Sequence, residues 1–106
     1  MANQITVLSP QGRLDAAHAR PLDAELQDNI QQGRVYLLVD MRDARYISSH
    51  GMRVLLAAHK QAQTKGGAVK LCGLDQRLQE IFEIAGFDRV FEIFDTREQA
   101  EQSYTV

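Results

Sequence analysis

Short apolar runs alternate along the chain with longer segments in which apolar residues recur at helical spacing. The runs at residues 5–8, 35–39, 68–72 and 90–94 are four or five residues long and rich in strand-forming side chains, so each predicts a strand. The run at 35–39 is continuous rather than alternating. That pattern is typical of a strand covered on both faces, as in a parallel sheet between helices.

One helical segment precedes the run at 35–39 and another follows it. Apolar residues at every fourth position from 22 to 30 predict a helix with its N-cap at Asp15 and its end near Gln32. Residues 41–47 are interpreted as a connection. The adjacent Ser48 and Ser49 are N-cap residues for a second helix, which ends near 65–67 and whose apolar face is Met52, Leu55, Leu56, His59 and Ala62.

Two further helices complete the alternation. Asp75 is a suitable N-cap for a third helix, and Gly86 can end it in a left-handed conformation with Phe87 packing back. Thr96 and Gln99 have the spacing of a capping box and predict a fourth helix. The order β-α-β-α-β-α-β-α implies right-handed crossovers and therefore an α/β fold with a mostly parallel central sheet.

Composition narrows the class of protein. The chain has 106 residues, 44% of them hydrophobic and 25% charged, which predicts one globular domain over 1–106. A formal net charge of −2 disfavours a nucleic-acid surface, and a single cysteine excludes an internal disulfide and a four-thiolate zinc site. The start has no basic region followed by a long apolar run, and the apolar runs are too short to cross a membrane, so we expect a cytoplasmic protein without membrane insertion.

Four segments, in order along the chain, resemble the STAS family, which is named for sulfate transporters and anti-sigma-factor antagonists. They are Gly12–Asp15 before the first helix, Asp40 to Met52 from strand end to helix start, the strand and helix between 68 and 82, and the ending at 85–94. The resemblance covers about residues 5–104. It implies a central sheet of four to five strands with about four helices, and here an N-terminal strand that is short or absent, because few residues precede the run at 5–8.

The resemblance also implies a function. Ser49 falls on the position that is phosphorylated in the anti-sigma-factor antagonists, whereas Ser48 stands where the family usually has Asp. His50 and Arg53 replace a Ser/Thr and a small residue. The implied protein is an interaction module and not an enzyme. It binds a serine-kinase anti-sigma factor when unphosphorylated, is released on phosphorylation of Ser49, and is reset by a PP2C-type phosphatase, without a cofactor.

The residues themselves leave alternatives open at this helix start. Ser49 can be a simple N-cap, a phosphorylation site or both, and two adjacent serines cannot be ordered from sequence. We expect the partner to dock on Asp15, Ser48, Ser49, His50, Gly51, Met52 and Arg53. Gly51, without a side chain, is expected to let a partner backbone come close, so that Gly51→Lys would weaken binding with little loss of fold.

Competing interpretations of the remaining polar residues are less specific. His50 is a poor candidate for a catalytic base, and three scattered histidines have no metal-ligand spacing. His59 is expected to be a half-buried packing residue, Cys72 a buried small hydrophobe, and Asp15 and Asp40 caps or turn formers rather than a carboxylate pair. Arg42, Arg45, Arg53 and Lys60 make the centre of the chain locally basic, which is usually a solvated face but can also meet an acidic partner.

Two other functions are kept beside the leading one. The first is a STAS scaffold that is never phosphorylated and serves as a subunit of a larger regulatory or transporter-associated complex. The second is a small enzyme or phosphocarrier. The chain offers little for the second, because Gly66 and Gly67 precede a strand, whereas a phosphate-binding loop follows one.

Overall fold

Four parallel strands form the main sheet of the computed structural model, which describes residues 4–104. The sheet contains β1 (Thr6–Leu8), β3 (Tyr36–Asp40), β5 (Ala68–Cys72) and β6 (Ile93–Phe94), in the spatial order β1-β3-β5-β6. A separate parallel pair, called the ribbon below, consists of β2 (Gly12–Leu14) and β4 (Ala44–Ile47). The predicted α/β class with a parallel central sheet is confirmed.

Four α-helices and one 3-10 turn connect the strands. The helices are α1 (Ala19–Gln31), α2 (Ser49–Thr64), α3 (Gln76–Ile84) and α4 (Arg97–Ser103), and the 3-10 turn is Phe87–Arg89. The predicted caps of the last two helices are confirmed: Asp75 accepts from the N–H of Leu78, and Thr96 and Gln99 form a complete capping box. None of the helices in the described range is long and apolar enough to cross a membrane.

The continuous apolar run of β3 is covered on both faces, as its sequence predicts. Leu37 and Val39 are fully buried in the main core with residues of α1, α2 and α3, whereas Leu38 packs with Cys72 and Ala100 on the α4 side. Both faces therefore need apolar side chains, which is why the run does not alternate.

Polar contacts attach the end of α4 to the outer face of the sheet. Lys70 is buried, and its ammonium group lies 2.9 Å from Glu92 Oε2 and 2.9 Å from Ser103 Oγ. The Tyr104 hydroxyl lies 2.8 Å from the carbonyl oxygens of both Leu37 and Ala68. A buried ammonium group is tolerated here because an acid and several acceptors surround it.

Three sequence-based boundaries are wrong. Residues 41–47 are not simply a connection, since they contain β4. The first helix begins at Ala19 instead of directly after Asp15, because an intervening turn uses the Asp15 carboxylate as its own cap. The last strand is reduced to Ile93–Phe94, because the N–H groups of Val90 and Phe91 both donate to the Phe87 carbonyl oxygen and so still belong to the preceding turn. The expectation about the N-terminal strand lies partly on residues 1–3, outside the described residues.

Candidate functional site at the start of the second helix

Ser48, not Ser49, is the N-cap of α2. The Ser48 backbone is extended, and its hydroxyl oxygen accepts a hydrogen bond from the Gly51 N–H at 3.1 Å. The same hydroxyl donates to the carbonyl oxygen of Leu14 at 3.2 Å. The structural role that sequence left open between the two serines therefore belongs to Ser48, and the Ser49 side chain is not needed for it.

Ser49, His50 and Arg53 are the exposed side chains of the first turns of α2. The N–H groups of Ser49 and His50 donate to no backbone acceptor in the described part of the chain. Unsatisfied amides of this kind, together with the positive end of the helix dipole, favour an anion beside the helix start. The Ser49 hydroxyl is thus accessible at a place where added negative charge is tolerated.

The ribbon holds this helix start in place through one carbonyl group. The oxygen of Leu14 accepts from the Ser48 N–H at 3.1 Å as well as from the Ser48 hydroxyl. Leu14 pairs with Ile47, the last residue of β4, so both strands of the ribbon end against the helix. Sequence reasoning missed this support because it interpreted β4 as a connection.

Gly51 is buried against the ribbon, which corrects the role expected for it. A Cβ at position 51 would lie 2.6 Å from the Leu14 carbonyl oxygen and 2.8 Å from Ile47 Cγ1. The space in front of Gly51 is filled by the chain's own atoms, so a partner backbone cannot use it. Met52 is also buried, with 8% of its surface exposed, so that Gly51 and Met52 support the site rather than forming its surface.

Asp15 lies at the same end of the ribbon, directly after Leu14. Its carboxylate accepts from the His18 N–H at 3.0 Å and lies 2.7 Å from the His18 ring nitrogen Nδ1. The backbone hydrogen bond from His18, followed by that of the His18 ring, holds the pKa of Asp15 below its ordinary value. The structure therefore places Asp15 beside the helix start, with its carboxylate engaged in its own turn.

The ribbon carries two exposed arginines, and one of them faces an acid, because Arg13 Nε lies 4.0 Å from Asp15 Oδ2. The Arg13 guanidinium stacks on the Tyr46 ring, 4.4 Å from its centroid, and Arg45 is exposed on β4. Arg53 is exposed on α2 itself. Of the other basic residues that the sequence singles out, Arg42 lines a separate cavity beside Asp40 and Lys60 lies two turns further along α2, so the predicted basic residues are spread over more than one surface.

A cavity of about 570 Å³ lies elsewhere, at the carboxyl ends of β3, β5 and β6. Asp40 lines it and is almost buried, with Oδ1 accepting from the Arg42 N–H at 3.0 Å. Asp15 and Asp40 each serve a local turn, as their interpretation as turn formers predicts. Neither Ser48 nor Ser49 contributes to the walls of this cavity.

Two further buried side chains, His59 and Cys72, have structural roles. His59 is 6% exposed, and its Nδ1 accepts from the Val69 N–H at 3.0 Å, so it is more deeply buried than the half-buried residue expected. Cys72 is fully buried as predicted, and burial raises the pKa of its thiol to about 11. The described residues contain no group of three or more His, Cys, Asp or Glu that could hold a metal ion.

Comparison with known proteins identifies relatives over most of the chain. The family model of the STAS domain matches residues 2–100. BtrV of Bordetella bronchiseptica, which is assigned as an anti-sigma factor antagonist, is 36% identical over 94 residues, covering 89% of this chain and 81% of that protein. The anti-sigma-B factor antagonist of Bacillus subtilis is 30% identical over 82 residues, covering 77% of this chain and 74% of that protein.

Solved structures agree with the fold. A Thermotoga maritima protein assigned as an anti-sigma factor antagonist superposes with a TM-score of 0.88 at 20% identity, over 94% of this chain and 86% of that one. The Bacillus cell fate determinant SpoIIAA in its phosphorylated form gives 0.73 at 18% identity, over 93% and 89%. A sulfate transporter family protein of Wolinella succinogenes gives 0.81 at 21% identity, over 94% and 84%. The predicted STAS-like architecture is therefore confirmed.

Proposed function

Since the chain belongs to the STAS domain family, we propose that it is an anti-sigma factor antagonist whose binding to a serine-kinase anti-sigma factor is switched off by phosphorylation of Ser49. The relatives named as antagonists support the first half of this proposal. The observation that carries the second half is the exposure of Ser49, one residue inside α2, while Ser48 caps the helix.

Because Ser48 caps the helix and Ser49 does not, phosphorylation of Ser49 can act as a switch without unfolding the domain. A phosphate on Ser49 adds about −1.5 to −2 charges and three acceptor oxygens. The free N–H groups of Ser49 and His50 and the helix dipole favour that anion. The cap made by Ser48 stays intact because its hydroxyl is not modified.

A partner docked on Ser49, His50 and Arg53 does not tolerate the same phosphate. Closing such an interface would take a dianion out of water, which costs several kcal/mol unless the partner offers matching charge. The remaining residues of the predicted contact set support this surface from below or beside it: Asp15, Ser48, Gly51 and Met52.

In the proposed cycle the chain is the substrate and ligand of other enzymes, not a catalyst. In the kinase, the Ser49 hydroxyl oxygen attacks the γ-phosphorus of ATP, ADP leaves, and the hydroxyl proton is released. A PP2C-type phosphatase then hydrolyses the phosphate ester, returning serine and inorganic phosphate. The chain needs no cofactor of its own for either step, and the cycle places it in the cytoplasm with its partners.

A second candidate is a STAS scaffold that is not phosphorylated, as part of a regulatory or transporter-associated complex. Two observations favour it: Ser48 stands where the family usually has Asp, and a sulfate transporter family protein has the same fold. Under this alternative Ser49 is simply an exposed residue after the cap.

Phosphosite mapping separates the two candidates. We would incubate the chain with ATP and a serine-kinase anti-sigma factor from the same organism, and map the product by mass spectrometry. We expect one phosphate on Ser49, no labelling of Ser49→Ala, and full labelling of Ser48→Ala, the matched control one residue away. No labelling of wild type by a kinase that phosphorylates its own known substrate would favour the scaffold.

A further inference from the structure

We propose that Arg53 is the internal counter-ion of a phosphate on Ser49, so that the modified helix start closes on itself. This inference rests on the proposed phosphorylation of Ser49. It assigns to Arg53 a function in the phosphorylated state that is separate from any contact with the partner.

The spacing on α2 is the first argument. Ser49 and Arg53 are four residues apart on one helix, so they lie on the same face. Side chains on an α-helix lean toward its N-terminus, and a long side chain at position 53 therefore reaches back over position 49. An acid at i and a base at i+4 is also the more favourable order for such a pair.

The charge environment of Arg53 is the second argument. The helix positions three and four residues from it are Ser49, His50, Leu56 and Ala57, and none of them is acidic. Arg53 is exposed and forms no ion pair within the described residues, unlike Arg97, which pairs with Glu101 on α4 at 2.7 Å. Arg53 thus lacks an anion on its own helix, and phosphorylation would supply one at the favourable position.

The chemistry of the pair is the third argument. A guanidinium group presents N–H donors in a planar fork that matches phosphate oxygens, and such charge-assisted hydrogen bonds are stronger than neutral ones. Phosphorylation would then change the contact surface twice, by adding a dianion and by neutralising a cation that an acidic partner would otherwise meet.

The second pKa of the phosphate tests the pair directly. Phosphoserine is installed at position 49 through an expanded genetic code, which requires no kinase, and the phosphate is titrated by ³¹P NMR in the otherwise wild-type chain and in four variants. A helical i,i+4 ion pair corresponds to a pKa shift of about 0.2–0.4, so Arg53→Gln should raise the second pKa by that amount. Arg53→Lys should keep the second pKa close to the wild-type value, because it retains a cation at position 53.

Two matched controls distinguish a specific ion pair between Arg53 and the phosphate from the combined effect of the surrounding positive charges on the phosphate pKa. Arg45→Gln removes an exposed arginine from the neighbouring ribbon, and Arg20→Gln removes one from α1. Each should raise the pKa by less than half of the Arg53→Gln effect. No rise in Arg53→Gln, or an equal rise in Arg45→Gln, would overturn the assignment. A chain that no partner kinase phosphorylates would refute the proposed function and leave this result standing.

Discussion

Ser48 and Ser49 are the same residue type in adjacent positions, yet their hydroxyl groups have different roles in the structure. The Ser48 hydroxyl accepts from Gly51 and donates to Leu14, whereas Ser49 is exposed. Sequence could place an N-cap in this pair but could not say which serine forms it, because either hydroxyl suits the role. The difference depends on where the ribbon ends, which is a tertiary feature.

Stability measurements should separate the two serines. Ser48→Ala removes an N-cap and a hydrogen bond to Leu14, and we expect it to lower the free energy of unfolding by about 0.5–2 kcal/mol. Ser49→Ala should change it by less than about 0.5 kcal/mol, as is usual for an exposed residue. Urea unfolding of both variants measures this. Equal losses would mean that Ser49 shares the cap.

His59 should make the stability of the domain depend on pH. Burial lowers the pKa of His59 below its ordinary 6.5, and the negative charge of Glu92 opposes this only in part. The folded state therefore binds this proton less readily than the unfolded chain. The contribution of neutral His59 is complete above about pH 6.5 and is lost as the pH falls toward the folded pKa. A proton on Nδ1 would also displace the hydrogen bond from Val69.

A comparison of variants isolates this effect from other titrations. In urea unfolding between pH 7.5 and pH 5, wild type should lose more stability on acidification than His59→Gln, which cannot titrate. Ser49→Ala is the control, because Ser49 is exposed and carries no group that titrates in this range. If His59→Gln and wild type showed parallel pH profiles, the burial of His59 would not be coupled to its protonation.

At the scale of elements, the contact between α2 and the ribbon is what presents Ser49. This contact is tight at Gly51, where even a methyl group would lie 2.6 Å from the Leu14 oxygen and 2.8 Å from Ile47 Cγ1. Because neither neighbour is the end of a flexible chain, Gly51→Ala should lower the free energy of unfolding by about 1–3 kcal/mol. Thermal and urea unfolding measure the loss, with His50→Ala as the exposed neighbour that should change little.

The same variant also decides between two roles of Gly51. If Gly51→Ala, or the larger Gly51→Lys, kept wild-type stability and lost only partner binding, the residue would be part of the contact surface after all. The geometry instead predicts that both substitutions lower the free energy of unfolding.

Sequence predicted some elements better than others for identifiable physical reasons. The caps at Asp75 and Thr96 are local, since each side chain bonds within three residues, and both were found where expected. The ribbon was missed because β2 and β4 have three and four residues and pair with each other across about 30 positions of chain. Its signal, buried residues at 41, 44 and 47, has a period of three and does not resemble a strand.

At the scale of the whole molecule, the parallel sheet and the ribbon hold a helix start on a surface of the domain. The site has an exposed hydroxyl at Ser49, a cap at Ser48 that does not depend on it, and an exposed arginine at position 53, one turn along the helix. The family resemblance assigns phosphorylation to Ser49, and that role stays a prediction. Sequence could not find the support beneath this serine, because the Leu14 carbonyl is a backbone group that no side-chain pattern reveals.

Partner binding by Ser49 variants tests the central claim most directly. Calorimetric titration of the cognate anti-sigma-factor kinase with wild type, Ser49→Ala and Ser49→Asp compares affinities while Ser48→Ala controls for loss of the cap. We expect Ser49→Ala to bind as wild type and Ser49→Asp to bind at least about tenfold more weakly, because each 1.4 kcal/mol of desolvation cost corresponds to a factor of ten. Equal affinities of wild type and Ser49→Asp would contradict the switch.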